Sequence, residues 1–193
     1  MAGNLLEQVD IFEKELKLPK GFFKKLLKED DWSFIIKIHS LVEAAVTYLL
    51  VKEIKKPLEN SLYRLELSST RTGKIAFLKD LGLLEEYRSF IKRLSEIRNN
   101  FVHDISNINI SLNKFLDNNN EIKKPLVKDI TSFLKDNIEI GDKKIPAKRF
   151  AEEHPKSSIW VVVLLMLKEI YALTILGKLG FTLTEVFKGE SDF

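Results

Sequence analysis

Three side chains in one short segment, Arg98, Asn99 and His103, combine a permanent cation, an amide that can both donate and accept, and an imidazole that titrates near neutral pH. A guanidinium can hold an anion through forked hydrogen bonds, and an imidazole can accept or release a proton. The chain has no cysteine, which excludes a thiolate nucleophile, a disulfide framework and any thiolate-held metal. No His and carboxylate ligand set is clustered in the sequence, and alternating strands and helices, which a dinucleotide-binding fold needs, are absent, so no metal and no cofactor is expected.

The segment closes an amphipathic run. Stepped at about 100° per residue, Phe90, Leu94, Ile97, Phe101 and Ile105 form one apolar stripe, which Ile91 and Val102 widen on one side. Arg98 falls between those two and is expected inside the buried arc. Since arginine does not shed its charge, it needs a carboxylate, a carbonyl cluster or an anionic ligand. Asn99 and His103, four residues apart, share the other flank, with His103 about 140° from Arg98 around the helix. Both cannot face straight into one cleft of one protomer, so a bend, a curled Arg98 or a second subunit must reunite them. A second subunit is the favoured answer.

An earlier helix carries a matching anomaly. Trp32, Ile35, Val42, Val46, Leu49 and Leu50 define its apolar arc, and His39 and Glu43 fall within it. A buried Glu on a neighbouring helix is the natural counter-charge for a buried Arg, so Glu43 is expected to approach Arg98. The plainer reading makes His39 and Glu43 a satisfied polar bridge between two helices.

The elements that position these groups are set by apolar spacing and breakers. A first helix is expected over about Asn4–Leu16, stopped before Pro19, then a short one to Lys28. Asp31 is the expected N-cap of a long helix from Trp32 to about Lys56, ended by Pro57. Next come short pieces over Leu58–Leu67 and Lys74–Leu81, and Gly82 separates them from the second long helix, Leu84 to about Ile105. Asn118–Asn120 reads as a loop, Ile122–Asn137 as a weaker helix, Ile138–Pro155 as a lysine-rich connection, and Ser157–Leu179 as an apolar closing helix. The fold class is therefore all-α, a helical bundle with two long central helices and an apolar C-terminal helix. All 193 residues form a single domain.

Composition supports this. Leu, Ile, Lys and Glu dominate while Gly and Pro are scarce, which favours helices. With 31 basic and 28 acidic residues the net charge is only +3, so nucleic acid is permitted without a strong cationic footprint. Acids in MAGNLLEQVDIFEKEL do not fit a secretory leader. The apolar run from Ile159 to Leu179 has Lys168 and Glu169 at its middle, where a bilayer makes charge costly, so a buried helix is expected and no membrane partner. A cytoplasmic protein is the consistent expectation.

The run SEIRNNFVHDI resembles the signature of the HEPN superfamily, an Arg, a polar residue directly after it and a His beyond, here Arg98, Asn99 and His103. Upstream, TGKIAFLKDLGLL followed by a helix ending in IRNNFVH is similar to the mannitol-operon repressor group, a related helical family. Together these cover roughly Trp32 to Ile105, within a HEPN-like core of about residues 31–180. The resemblance implies a bundle that dimerises, setting two copies of the motif across a cleft. In catalytic members this is a metal-independent endoribonuclease site of toxins and defence effectors, with RNA as substrate and an antitoxin or regulatory protein as a possible further partner. It implies His103 as general acid or base, Arg98 as phosphate binder, and Asn99 as the group orienting either. One branch, paired with an antitoxin and controlled by nucleotidylation, has a Tyr two residues after the His; here that position is Ile105, which puts such control in doubt.

Other features weigh less. TRTGK at Thr70–Lys74 lacks the rest of a phosphate loop and its preceding strand and reads as a helix start, though Arg71 and Lys74 remain candidate nucleic-acid contacts near the motif. Lysines between Lys143 and Lys156 alternate with Asp142, Glu152 and Glu153, as on a solvated surface. His154 stands alone in a loop, unassigned. The competing function is a non-catalytic transcriptional regulator or interaction protein of the mannitol-repressor type, with Arg98 and Glu43 as a structural bridge.

Overall fold

The computed structural model describes residues 2–54, 58–134, 137–140 and 143–178, and among them the chain is mostly helical. The long helix α3 (Asp31–Ile54) lies at the centre, packed by α6 (Glu85–His103) on one side and by the closing helix α10 (Pro155–Lys178) on another. Helix α1 (Ala2–Glu15) covers α10, and α8 (Asn120–Phe133) covers α6. Shorter helices α2 (Phe22–Lys25), α4 (Glu59–Arg64), α5 (Lys74–Asp80), α7 (Leu112–Asn118) and α9 (Ala147–Glu153) fill the corners. One apolar cluster runs from Val9 in α1 through Val42, Phe90 and Leu126 to Leu173 in α10, so the long helices share a single core. Burial of such side chains, about 1.5–3 kcal/mol each, is what holds helices of mixed propensity together.

Helices α3 and α10 are long and apolar enough to cross a membrane by length and composition, and their windows are 61% and 56% buried inside the bundle. Core helices flanked by other helices on most sides show this same apolar circumference. Lys168 is exposed and Glu169 half-buried, so neither charge sits in the core.

Several expectations change. The N-cap of α3 is Asp30, whose carboxylate accepts Ser33 N–H at 2.9 Å, rather than Asp31. Asp31 instead accepts Leu112 N–H at 2.8 Å and meets Lys156 Nζ at 3.0 Å, tying the starts of α3, α7 and α10 together. The expected loop Asn118–Asn120 is a tight junction between α7, which sequence reasoning missed, and α8. The lysine-rich connection carries a small antiparallel hairpin, β1 (Asn137–Ile140) with β2 (Lys143–Pro146), followed by α9. Lys56, Pro57, Gly141, Asp142 and Leu179 lie outside the described residues.

Helix α6 stops at His103, and its last turn leaves the core. Phe101 is fully buried, but Val102 is 41% and Ile105 74% exposed, against the expectation that both continue the apolar stripe. Helix α3 begins at this level, where Trp32 Nε1 donates to the Phe101 carbonyl at 3.0 Å, so α3 does not extend over the residues beyond Phe101.

Candidate functional site

Helices α3 and α6 run antiparallel. Trp32 sits beside Phe101, and seven residues along α3 His39 sits beside Ser95, six residues back along α6. This register places Glu43 level with Ile91, about two turns and ~10 Å of axis from the level of Arg98. The expected pairing of Glu43 with Arg98 is accordingly absent. Glu43 Oε1 is instead 2.8 Å from Nζ of Lys74, the first residue of α5.

Lys74 reaches Glu43 because of the loop before it. Lys74 N–H donates to Glu66 O at 2.9 Å, Ile75 N–H to Leu67 O at 3.2 Å, and Gly73 N–H to Ser69 O at 3.1 Å, folding residues 66–73 back onto the start of α5. Gly73 permits this close approach: a Cβ there would stand 2.4 Å from the Glu66 carbonyl oxygen. The Lys74 side chain is only 2% exposed and Glu43 37%, so a buried ammonium is held by a half-exposed carboxylate. Lys74 is therefore corrected from a nucleic-acid contact to an internal cation. Arg71 is exposed on the same loop.

A cleft of about 210 Å³ opens between α3, α6 and this loop, lined by His39, Glu43, Glu66, Ser68, Ser95, Arg98 and Asn99. On its floor, His39 is buried and its Nε2 lies 3.0 Å from Ser95 Oγ. The Ser95 hydroxyl donates to the Ile91 carbonyl at 2.9 Å, which makes His39 Nε2–H the donor in this contact. Burial lowers the His39 pKa to about 4, Glu43 opposes that shift, and the cations of Arg98 and Lys74 add to it, so the ring is neutral at pH 7. Across the cleft, Ser68 Oγ donates to one oxygen of the exposed Glu66 carboxylate at 2.6 Å.

Arg98 is half-buried, and Nη1 donates to Asn99 Oδ1 at 2.9 Å. Among the described residues no carboxylate lies within 4 Å of the guanidinium, so Arg98 lines the cleft without a direct ion pair, although Glu43 and Glu66 line it too. Arg98 and Asn99 thus meet His39 and Glu43 on one cleft, as cation and orienting amide. His103, five residues on and ~7.5 Å further along the axis, is exposed and does not line it. Val102, Ile105 and Ile108, close to His103 in sequence, are exposed apolar residues.

Sequence reasoning missed Ser95, Glu66 and Ser68. Ser95 carried a signal, as a small polar residue between Ile91 and Arg98 on the buried arc of α6. Glu66 and Ser68 carried none, because only the fold-back of their loop brings them to the cleft. No group of three or more His, Asp or Glu side chains is placed to hold a metal ion among the described residues. Comparison with protein-family models, curated proteins and solved structures finds no match to this chain.

Proposed function

We propose that the chain is a metal-independent endoribonuclease of the HEPN type, a toxin or defence effector, that works as a homodimer. The observation carrying this reading is the state of Arg98: half-buried at a cleft, oriented by Asn99, and without a carboxylate because Glu43 belongs to Lys74. A guanidinium so placed stabilises a phosphate and the charge that phosphate gains in the transition state. His103 is the proton-transfer group. The His103 imidazole takes the proton of the ribose 2′-hydroxyl as its oxygen attacks phosphorus, and the imidazolium so formed gives that proton to the 5′-oxygen as the bond from phosphorus to it breaks. The products are a 2′,3′-cyclic phosphate and a 5′-hydroxyl.

Arg98 and His103 of one protomer face different ways, so Arg98 of one copy serves with His103 of the other. The exposed apolar residues Val102, Ile105 and Ile108 beside His103 support a second copy docking there. The same separation favours a second reading, a non-catalytic regulator or interaction protein of the mannitol-repressor type whose polar bridge is Lys74 with Glu43 and His39 with Ser95.

Incubation with RNA in EDTA tests the choice. The wild-type chain cleaves, and His103→Ala and Arg98→Ala each lower the rate by about 10²–10⁴. Cleavage that survives His103→Ala removes that residue from the mechanism, and a wild-type chain that leaves RNA intact supports the regulator.

A further inference from the structure

On the far side of α8, four lysines from two helices converge on a cavity of about 570 Å³. Lys123, Lys124 and Lys128 come from α8, and Lys148 enters from α9, which packs against it. Lys124 and Lys128 stand four residues apart on one helix face, ~6 Å along the axis. Lys123 is satisfied by Asp117 at 2.6 Å, and Lys148 reaches Glu152 only at 4.0 Å. Among the described residues no carboxylate lies within 4 Å of Lys124 or Lys128, so these two line the cavity without a direct ion pair, beside a Lys148 that Glu152 only partly neutralises.

The cavity selects among anions. No aromatic ring lines it, so nothing is offered for a base to stack on, and the recognisable part of a ligand is its phosphates. Asp117, on Lys123, and Glu152, in the lining, stand beside the lysines, so a continuous nucleic-acid backbone leaving the cavity meets carboxylates. A compact chain of phosphates does not. We propose that this cavity binds an oligophosphate, inorganic or borne by a nucleoside, through Lys124, Lys128 and Lys148, with the exposed Asn120 amide available to phosphate oxygens.

The test is calorimetric titration of the full chain, in metal-free buffer at low salt, with tripolyphosphate, ATP, GTP, AMP and a single-stranded RNA oligomer. The three triphosphate-bearing ligands bind within about threefold of one another, and AMP at least about tenfold more weakly, because charge rather than base identity sets affinity. Lys124→Ala with Lys128→Ala weakens tripolyphosphate at least about tenfold, while the two Arg replacements retain it. Tripolyphosphate and the nucleotides are then separated as sources by whichever binds tighter. Absent binding of all triphosphates, unchanged affinity in the double Ala variant, or RNA binding that triphosphates do not displace overturns the proposal. Both lysines are exposed, so the variants fold, which circular dichroism checks.

Discussion

The ammonium of Lys74 is buried at 2.8 Å from Glu43 Oε1, and this pair, rather than Glu43 with Arg98, is the ion bridge that Glu43 makes, joining α3 to α5. It leaves Arg98 with an amide partner and an open cleft.

The pair is asymmetric, and so are its mutants. Glu43→Gln leaves a buried ammonium without its counter-charge and destabilises by about 2–3 kcal/mol, below the cost of breaking a fully buried pair because Glu43 is partly solvated. Lys74→Met keeps the buried stem and leaves a carboxylate that water can reach, so it costs under about 1 kcal/mol. Urea unfolding of both variants checks the order, and equal losses contradict it.

His39 makes the fold sensitive to acid. Its pKa falls from 6.5 to about 4 on folding, chiefly through burial, so between those values the unfolded chain binds more protons than the folded one. The His39 contribution is present above pH 6.5, shrinks as pH falls through the window, and levels off below about 4, a change of order 3 kcal/mol. His39→Gln flattens this part of the profile in chemical denaturation measured from pH 7.5 to 4.

Gly73 holds the cleft wall shut. In Gly73→Ala the new methyl meets the Glu66 carbonyl oxygen, a backbone atom that cannot swing away. A loss of about 2 kcal/mol, or roughly 4–8 °C in Tm, is expected in thermal unfolding.

The exposed end of α6 is the expected dimer face. Ile105→Glu places a charge where apolar contact is expected and raises the dimer dissociation constant at least about tenfold in sedimentation equilibrium, with the monomer fold intact.

Much of this was legible in the sequence. The 3.6-residue period marked α3, α6 and α10, because burial of one face is a local pattern, while Pro19 marked the end of the first helix and Gly82 the break before α6. His39 and Arg98 stood out as polar groups within apolar arcs, and both line the cleft. Partner choice was not legible, because it depends on the antiparallel register of α3 against α6 and on a fold-back that Gly73 alone permits. Nor did spacing reveal that α6 outruns α3, which turns Val102 and Ile105 outward. The lysines around Lys148 are solvated as their alternation with acids suggested, but the convergence of Lys148 with the lysines of α8 was hidden, since it depends on the packing of α9 against α8.

The central claim, a ribonuclease site completed across two protomers, is tested most directly by mixing. Arg98→Ala and His103→Ala chains, each inactive alone, are unfolded together, refolded at equal amounts and assayed on RNA in EDTA. Half of the dimers are then mixed and each has one complete site, so about a quarter of the wild-type rate returns. Two inactive variants whose mixed dimers, verified by mass, recover no cleavage contradict the account.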